Sequence, residues 1–216
     1  MVKKIRGARP GTQSAVRQRI LDAARDLFVR EGYEAVSMRR VAKKIRYSPT
    51  TIYLYFRDKA ELFSCLCDEL YDQLTELPSM AAAFADDPLA FLRRVLRAYV
   101  EFGLANPNQY RVAFLLTSRM PLESKDFLPT DSKPLQAYDL FRQAVRRCVR
   151  AKVFRKVDVD AACQSLWAAV HGLTSLLILF PTFPWVRRDQ LIALGIDSML
   201  RGMMTPEALA KGGIEP

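Results

Sequence analysis

The stretch from Ser37 to Lys59 constrains this chain more than any other. Ser37 is a good N-cap residue, and Val41, Ala42 and Ile45 behind it give one apolar face at helical spacing. Ser48 is placed to cap a second helix, and Pro49 takes that helix's first position, where its missing N–H costs nothing. Ile52 and Phe56 recur four apart, so they can face a core together, leaving Thr50, Thr51, Tyr53 and Tyr55 turned outward. Two short helices joined by a tight turn make a helix-turn-helix, whose second helix is shaped to lie in a DNA major groove.

The pattern extends on both sides. It includes Arg19-Ile20-Leu21-Asp22-Ala23-Ala24-Arg25-Asp26-Leu27-Phe28, then Gly32-Tyr33, Ser37-Met38-Arg39 to Ala42, and Thr51-Ile52-Tyr53-Leu54-Tyr55-Phe56, followed by Lys59 and Glu61-Leu62. From about Arg17 to Leu62 the chain resembles the DNA-binding domain of the TetR family of transcriptional regulators. The resemblance implies base contacts by Pro49, Thr50 and Tyr53 and phosphate contacts by Thr51, Tyr55 and Lys59. Arg39 matches a position that reads guanine, and a guanidinium suits a bidentate bond to O6 and N7. Ser37 is expected to bond a phosphate while capping, and Lys59 to hold backbone with the N–H groups around it. The plainer alternatives are packing rings for Tyr53 and Tyr55 and simple solvation for Lys59. Lys3, Lys4, Arg6 and Arg9 form an arm that either enters the adjacent minor groove or binds phosphate diffusely.

Two departures from the family pattern bear on function. Arg46 stands where the family usually has glycine in the turn. If that residue is left-handed, its side chain costs on the order of 1 kcal/mol, and the guanidinium gains a phosphate contact. Pro49-Thr50 offers few hydrogen-bond donors, so base reading leans on van der Waals contact and DNA shape.

Charge divides the chain. Residues 1–59 carry 15 Lys/Arg against 5 Asp/Glu, whereas residues 60–216 carry 18 against 18. A basic head joined to a neutral body is the electrostatic footprint of a nucleic-acid binder with a separate second function. The expected partition is a helix-turn-helix domain with its basic arm over 1–59 and an effector-binding and dimerisation domain over 60–216.

Other functional classes find little support. With one histidine, no glycine-rich phosphate loop and no metal-spaced cluster, nothing forms a nucleophile–base pair, so no enzyme, metal or cofactor is expected. Cys65, Cys67, Cys148 and Cys163 are scattered, favouring buried reduced thiols over a redox sensor. The basic N-terminus lacks an apolar segment of the secretory kind, which points to the cytoplasm. Residues Ala161 to Val186 hold no Asp, Glu, Lys or Arg, yet Gln164, Ser165, His171, Gly172, Thr174 and Ser175 interrupt them. A buried central helix shows the same pattern, and no membrane span is expected.

Periodicity and punctuation give nine helices and no strand, hence an all-α bundle. They run over about Ser14–Glu31, the two described above, Asp58–Leu77, a fifth launched by Asp87-Pro88, a sixth opened by Asn106-Pro107, Pro134–Lys152, Asp158–Phe180 and Arg187–Met203. Met120 to Pro134 reads as an exposed loop, and the tail after Thr205 as loosely held.

In the body, Trp167-Ala-Ala-Val-His171-Gly172, with Asn106-Pro107-x-x-Tyr110-Arg111 upstream, resembles a TetR C-terminal domain type. Trp167 and His171 share a helix face. With Tyr99, Phe102, Tyr110, Phe114, Tyr138 and Phe141 they either line a pocket for a lipophilic effector or are plain core. The resemblance implies a ligand-responsive homodimeric repressor of a palindromic operator. Its dimer seam would use Leu166, Ala169, Leu173, Leu176 and Leu177 with Leu191, Leu194, Ile196, Met199 and Leu200. An architectural DNA-binding protein without an effector is the alternative, and an activator role stays open.

Overall fold

The computed structural model of the chain describes residues 10–78, 86–116 and 132–211, with side chains assigned from residue 13. Among the described residues there are ten α-helices, one π-helical turn, and a single isolated bridge pairing Phe154 with Met204. The chain divides into two compact units, Met1–Leu70 with Pro107–Phe127 and Tyr71–Asn106 with Leu128–Pro216.

The first unit holds α1 (Pro10–Glu31), α2 (Met38–Ile45), α3 (Pro49–Tyr53), the greater part of α4 (Lys59–Thr75) and α6 (Pro107–Tyr110), which continues as the π-helical turn Arg111–Leu116. The π-helical turn has no sequence signal, because Asn106-Pro107 announces an ordinary helix. Helix α1 starts four residues ahead of Ser14 and stops at Gly32, whose φ of 81° suits glycine. Its inner stripe, Ile20, Ala23, Ala24, Leu27 and Phe28, is buried. Phe28 lies 5.3 Å from Phe63 and 5.6 Å from Tyr33, with Tyr33 edge-on to Phe63 at 5.1 Å, so three elements lock on one aromatic knot. At the start of α4, Asp58 accepts the Glu61 N–H at 2.8 Å while the Glu61 carboxylate accepts the Arg57 N–H at 2.6 Å. That Glu61 N–H, then Arg57, holds the Asp58 carboxyl below its ordinary range.

The second unit contains α5 (Pro88–Ala105), α7 (Lys133–Arg150), α8 (Val159–Leu179), α9 (Arg188–Arg201) and α10 (Pro206–Lys211). Asp87 caps α5 through the Leu89 and Ala90 N–H groups, and Asp158 caps α8 through that of Ala161. Helix α5 packs against α7, α8 and α9. Arg93–Asp197 at 3.0 Å and Arg97–Asp189 at 3.3 Å tie it to α9 at the surface. Burial pushes the Cys148 and Cys163 thiols up to about 12, which keeps them protonated and unreactive.

Three expectations change here. As far as Lys211 the tail is not loose: the Thr205 N–H bonds Val153 O and the Arg155 N–H bonds Met203 O, both at 2.9 Å, and α10 follows as a tenth helix, while residues 212–216 lie outside the described part. Leu166, Leu177, Ile196 and Leu200, assigned to a dimer seam, are buried within the chain itself. Of the expected loop from Met120 to Pro134, residues 120–131 lie outside the described part, while Lys133 and Pro134 already belong to α7. Helix α8 is long and apolar enough to cross a membrane by length and composition, and its inner face, Ala162, Cys163, Leu166, Val170, Thr174, Leu177 and Ile178, is buried.

Candidate nucleic-acid interface and aromatic cluster

Local rules build the α2–α3 surface. The Ser37 hydroxyl accepts the Arg40 N–H at 3.3 Å and starts α2. Val41 and Ala42 are fully buried and Ile45 nearly so, which fixes the helix face. Arg46 ends α2 in the left-handed region, φ 60° and ψ 41°, with its N–H on Lys43 O and that of Tyr47 on Ala42 O. The glycine position is thus occupied by an arginine in the conformation glycine favours. Ser48 then accepts the Thr51 N–H at 3.2 Å, and the two side-chain hydroxyls lie 2.9 Å apart. Ile52 and Phe56 anchor α3 in the core at 0% and 1% exposure.

That anchoring turns the remaining side chains outward. Ser37, Arg39, Arg46, Pro49, Thr50 and Tyr53 are exposed, and Thr51 and Tyr55 are half-buried. Tyr53 points to solvent, whereas Tyr55 packs in part against the core of the first unit. Leu54, which the sequence pattern did not single out, is 45% exposed at the end of α3.

The charges on this surface fall into two sets. Arg40 pairs with Glu31 at 2.7 Å and Lys44 with Asp26, so α2 is strapped to α1. Lys44 is the main cause that holds the Asp26 carboxyl below its ordinary range. Arg25 reaches Glu69 at 2.6 Å, linking α1 to α4. Arg39 and Arg46, in contrast, face no carboxylate within ion-pair distance among the described residues, which leaves both guanidinium groups available to an anion. Lys59 is engaged: its ammonium donates to Tyr33 O at 2.9 Å and sits 4.1 Å from the centre of that ring.

In the second unit the structure brings together Tyr99, Tyr138, Trp167 and His171. The Trp167 indole N–H donates to Tyr99 Oη at 3.4 Å, and Tyr99 Oη lies 3.1 Å from His171 Nδ1. His171 Nε2 is 3.4 Å from Ser175 Oγ, a partner one helical turn on that sequence reasoning missed. Burial lowers the His171 pKa, so the neutral ring is favoured. One assignment of protons satisfies the whole chain: Tyr99 donates to Nδ1, and Nε2–H donates to Ser175. The Tyr138 ring lies 6.5 Å from Trp167, which remains 40% exposed. Phe102 and Phe141 are half-buried on α5 and α7. Tyr110 and Phe114 belong to the first unit, where their rings lie 4.8 Å apart and Tyr110 is completely buried.

Known proteins match both parts of the chain. Residues 20–65 match the family described as bacterial regulatory proteins, tetR family, and residues 92–199 the one described as tetracyclin repressor-like, C-terminal domain. The HTH-type transcriptional regulator AcrR of Shigella flexneri is 28% identical over 141 residues, 63% of this chain and 66% of that protein. An uncharacterized HTH-type transcriptional regulator of Mycobacterium tuberculosis is 32% identical over 180 residues, covering 82% of this chain and 72% of the relative. Among solved structures, the TetR family transcriptional regulator PfmR from Thermus thermophilus matches at 27% identity with a TM-score of 0.69, over 88% of this chain and 97% of that one. A helix-turn-helix with an open basic surface, two matching family descriptions and relatives of this kind lead to one conclusion: the chain belongs to the TetR family and is a DNA-binding transcriptional regulator.

Proposed function

We propose that this regulator is a homodimeric, ligand-responsive repressor that binds a palindromic operator in the cytoplasm. The observation that carries the reading is the open α2–α3 surface, where Arg39, Arg46, Pro49, Thr50 and Tyr53 are all exposed. Ser37, Thr51, Tyr55 and Lys59 flank it as phosphate contacts. Residues 1–59 serve DNA and residues 60–216 serve effector binding and dimerisation. Leu176 at 46% and Leu194 at 65% exposure, one on α8 and one on α9, supply apolar surface for a partner copy. Two-fold symmetry of such a dimer makes the operator a palindrome.

A lipophilic effector is the ligand we assign to the aromatic side chains of the body, with the polar run through Tyr99 and His171 to orient it. Derepression requires that the ligand prefer the non-binding state. A preference of about 100-fold corresponds to roughly 2.7 kcal/mol of coupling.

Selection of purified protein on a pool of random duplexes, repeated over a salt series, tests the reading. Recovery of a single palindrome whose affinity falls steeply with salt is the expected result. Binding without sequence preference would instead favour an architectural protein with no effector.

A further inference from the structure

Helix α1 brings to the head one charge that no motif singles out. Arg19 is exposed, and its guanidinium carbon lies 5.4 Å from the centre of the Tyr47 ring. Tyr47 is half-buried against the core of the first unit, so the ring is a fixed platform for the planar group stacked on it. In the chain Tyr47 stands between Arg46, which ends α2, and Ser48, which caps α3. Arg19 and Arg46 line one open depression of about 510 Å³, together with Asp22, Ala23, Lys44 and Ile45. The charges around it do not balance. Lys44 pairs with Asp26, while Asp22 pairs with Arg25 at 2.8 Å and accepts from Gln18 at 3.2 Å, so these two are already matched. Arg19 and Arg46 face no carboxylate within ion-pair distance among the described residues. Two like charges lining one hollow repel each other until an anion from outside joins them. Arg46 is held there in a left-handed backbone, φ 60°, that disfavours any side chain. The guanidinium fork matches the oxygens of a phosphate. Arg46 belongs both to this hollow and to the α2–α3 surface, which makes the operator backbone the source of that phosphate.

We propose that Arg19 and Arg46, with Tyr47 holding Arg19 in place, form a clip for one backbone phosphate of each operator half-site, beside the end of α3 that Ser48 caps. The clip adds α1 to the elements that grip DNA, through a contact that carries no base preference. It rests on the reading of the protein as an operator-specific dimer. An exposed ion pair at the upper end of its usual range is worth about fivefold, so one arginine acting in both half-sites is worth about 25-fold in affinity.

The test starts from the palindrome recovered by selection, because failure to recover one defeats the operator reading itself and is seen before any phosphate is altered. An uncharged methylphosphonate then replaces one phosphate at a time, at the same place in both half-sites. Binding is measured for the native protein and for Arg19→Gln, Tyr47→Phe, Tyr47→Leu and Arg150→Gln. Arg150 is exposed at the end of α7 in the second unit, so its variant lowers net charge by the same amount as Arg19→Gln. The expected result is one symmetric position where the penalty for neutralising the phosphate is smaller in Arg19→Gln than in the native protein by about 25-fold. Penalties at the other positions stay the same, and Arg150→Gln keeps the native profile. Tyr47→Phe keeps the full penalty because a ring remains under the guanidinium, whereas Tyr47→Leu reduces it with no change in charge. Equal penalties in the native protein and Arg19→Gln at every position overturn the proposal while leaving operator recognition intact. A uniform loss matched by Arg150→Gln also overturns it, since net charge alone would then account for the effect. A full penalty in Tyr47→Leu overturns the part given to Tyr47. Arg19 is exposed and outside the core, and far-UV circular dichroism of each variant establishes that the head is folded.

Discussion

The short helix α3 buries Ile52 completely and leaves Tyr53 53% exposed, while the 21-residue α8 buries seven positions and leaves Leu176 46% exposed. Both present large apolar groups to solvent, but the two surfaces arise differently. In α3 the inward direction is set by a cap, a proline and two residues four apart, so everything else must face out. In α8 most positions are apolar, and a helix so largely apolar gives only a weak phase from which to read its inner face. Exposure on α3 follows from its pattern. On α8 it follows from which neighbours happen to cover it.

The sharpest way to break the comparison uses two leucines of α9. Leu200 is completely buried and Leu194 is 65% exposed. Leu200→Asp places an unpaired charge in the core, at several kcal/mol, and is expected to abolish the folded second unit as read by circular dichroism. Leu194→Asp is expected to keep its helix content, sediment as a monomer, and bind the operator about 100- to 10,000-fold more weakly through loss of the linked second site. If both variants behave alike, α9 has no separate outer role.

A smaller effect is expected in the head. Arg46→Gly relieves a left-handed backbone and is expected to raise unfolding stability by about 1 kcal/mol in urea titrations. The same change is expected to flatten the dependence of log affinity on log salt by about 0.9 for each phosphate that residue 46 no longer neutralises. Stability up and salt slope down separates a residue kept for DNA from one kept for the fold.

The smallest effect concerns pH. His171 has a pKa below the ordinary 6.5 because it is buried, so the folded state binds its proton less readily than the unfolded one. Its contribution is full above pH 6.5 and is lost as pH falls through the lowered value. The thermal midpoint is expected to decline over that window in the native protein, and the decline to shrink in His171→Gln.

How far the sequence reached follows the range of the interactions. The caps at Ser37, Ser48, Asp87 and Asp158 were legible because each acts within three residues. The left-handed Arg46 was raised only as a condition, through the family resemblance that puts a glycine there, and the structure meets that condition. The Phe154–Met204 bridge was not legible, since the two residues are far apart in the chain, whereas α10 was passed over although Thr205-Pro206 marks its start and the Thr205 hydroxyl accepts the Ala208 N–H. Trp167 and His171 were found together by their spacing, yet the direction of the polar run to Ser175 depends on Tyr99, 72 residues away from His171. Arg25–Glu69 has no local signal either, being 44 residues apart. The leucine and isoleucine residues wrongly placed in a dimer seam show the same limit, for composition names an apolar surface without saying which copy of the chain covers it.

The Lys59 ammonium, folded onto the Tyr33 carbonyl and ring, is both a fastening between the α1–α2 connection and α4 and the charge assigned to grip the DNA backbone. Two tasks therefore hang on one amine. Acetylation at that nitrogen would undo both in a single event, lowering melting temperature and operator affinity together. At Arg39, whose side chain fastens nothing among the described residues, the two quantities are free to part.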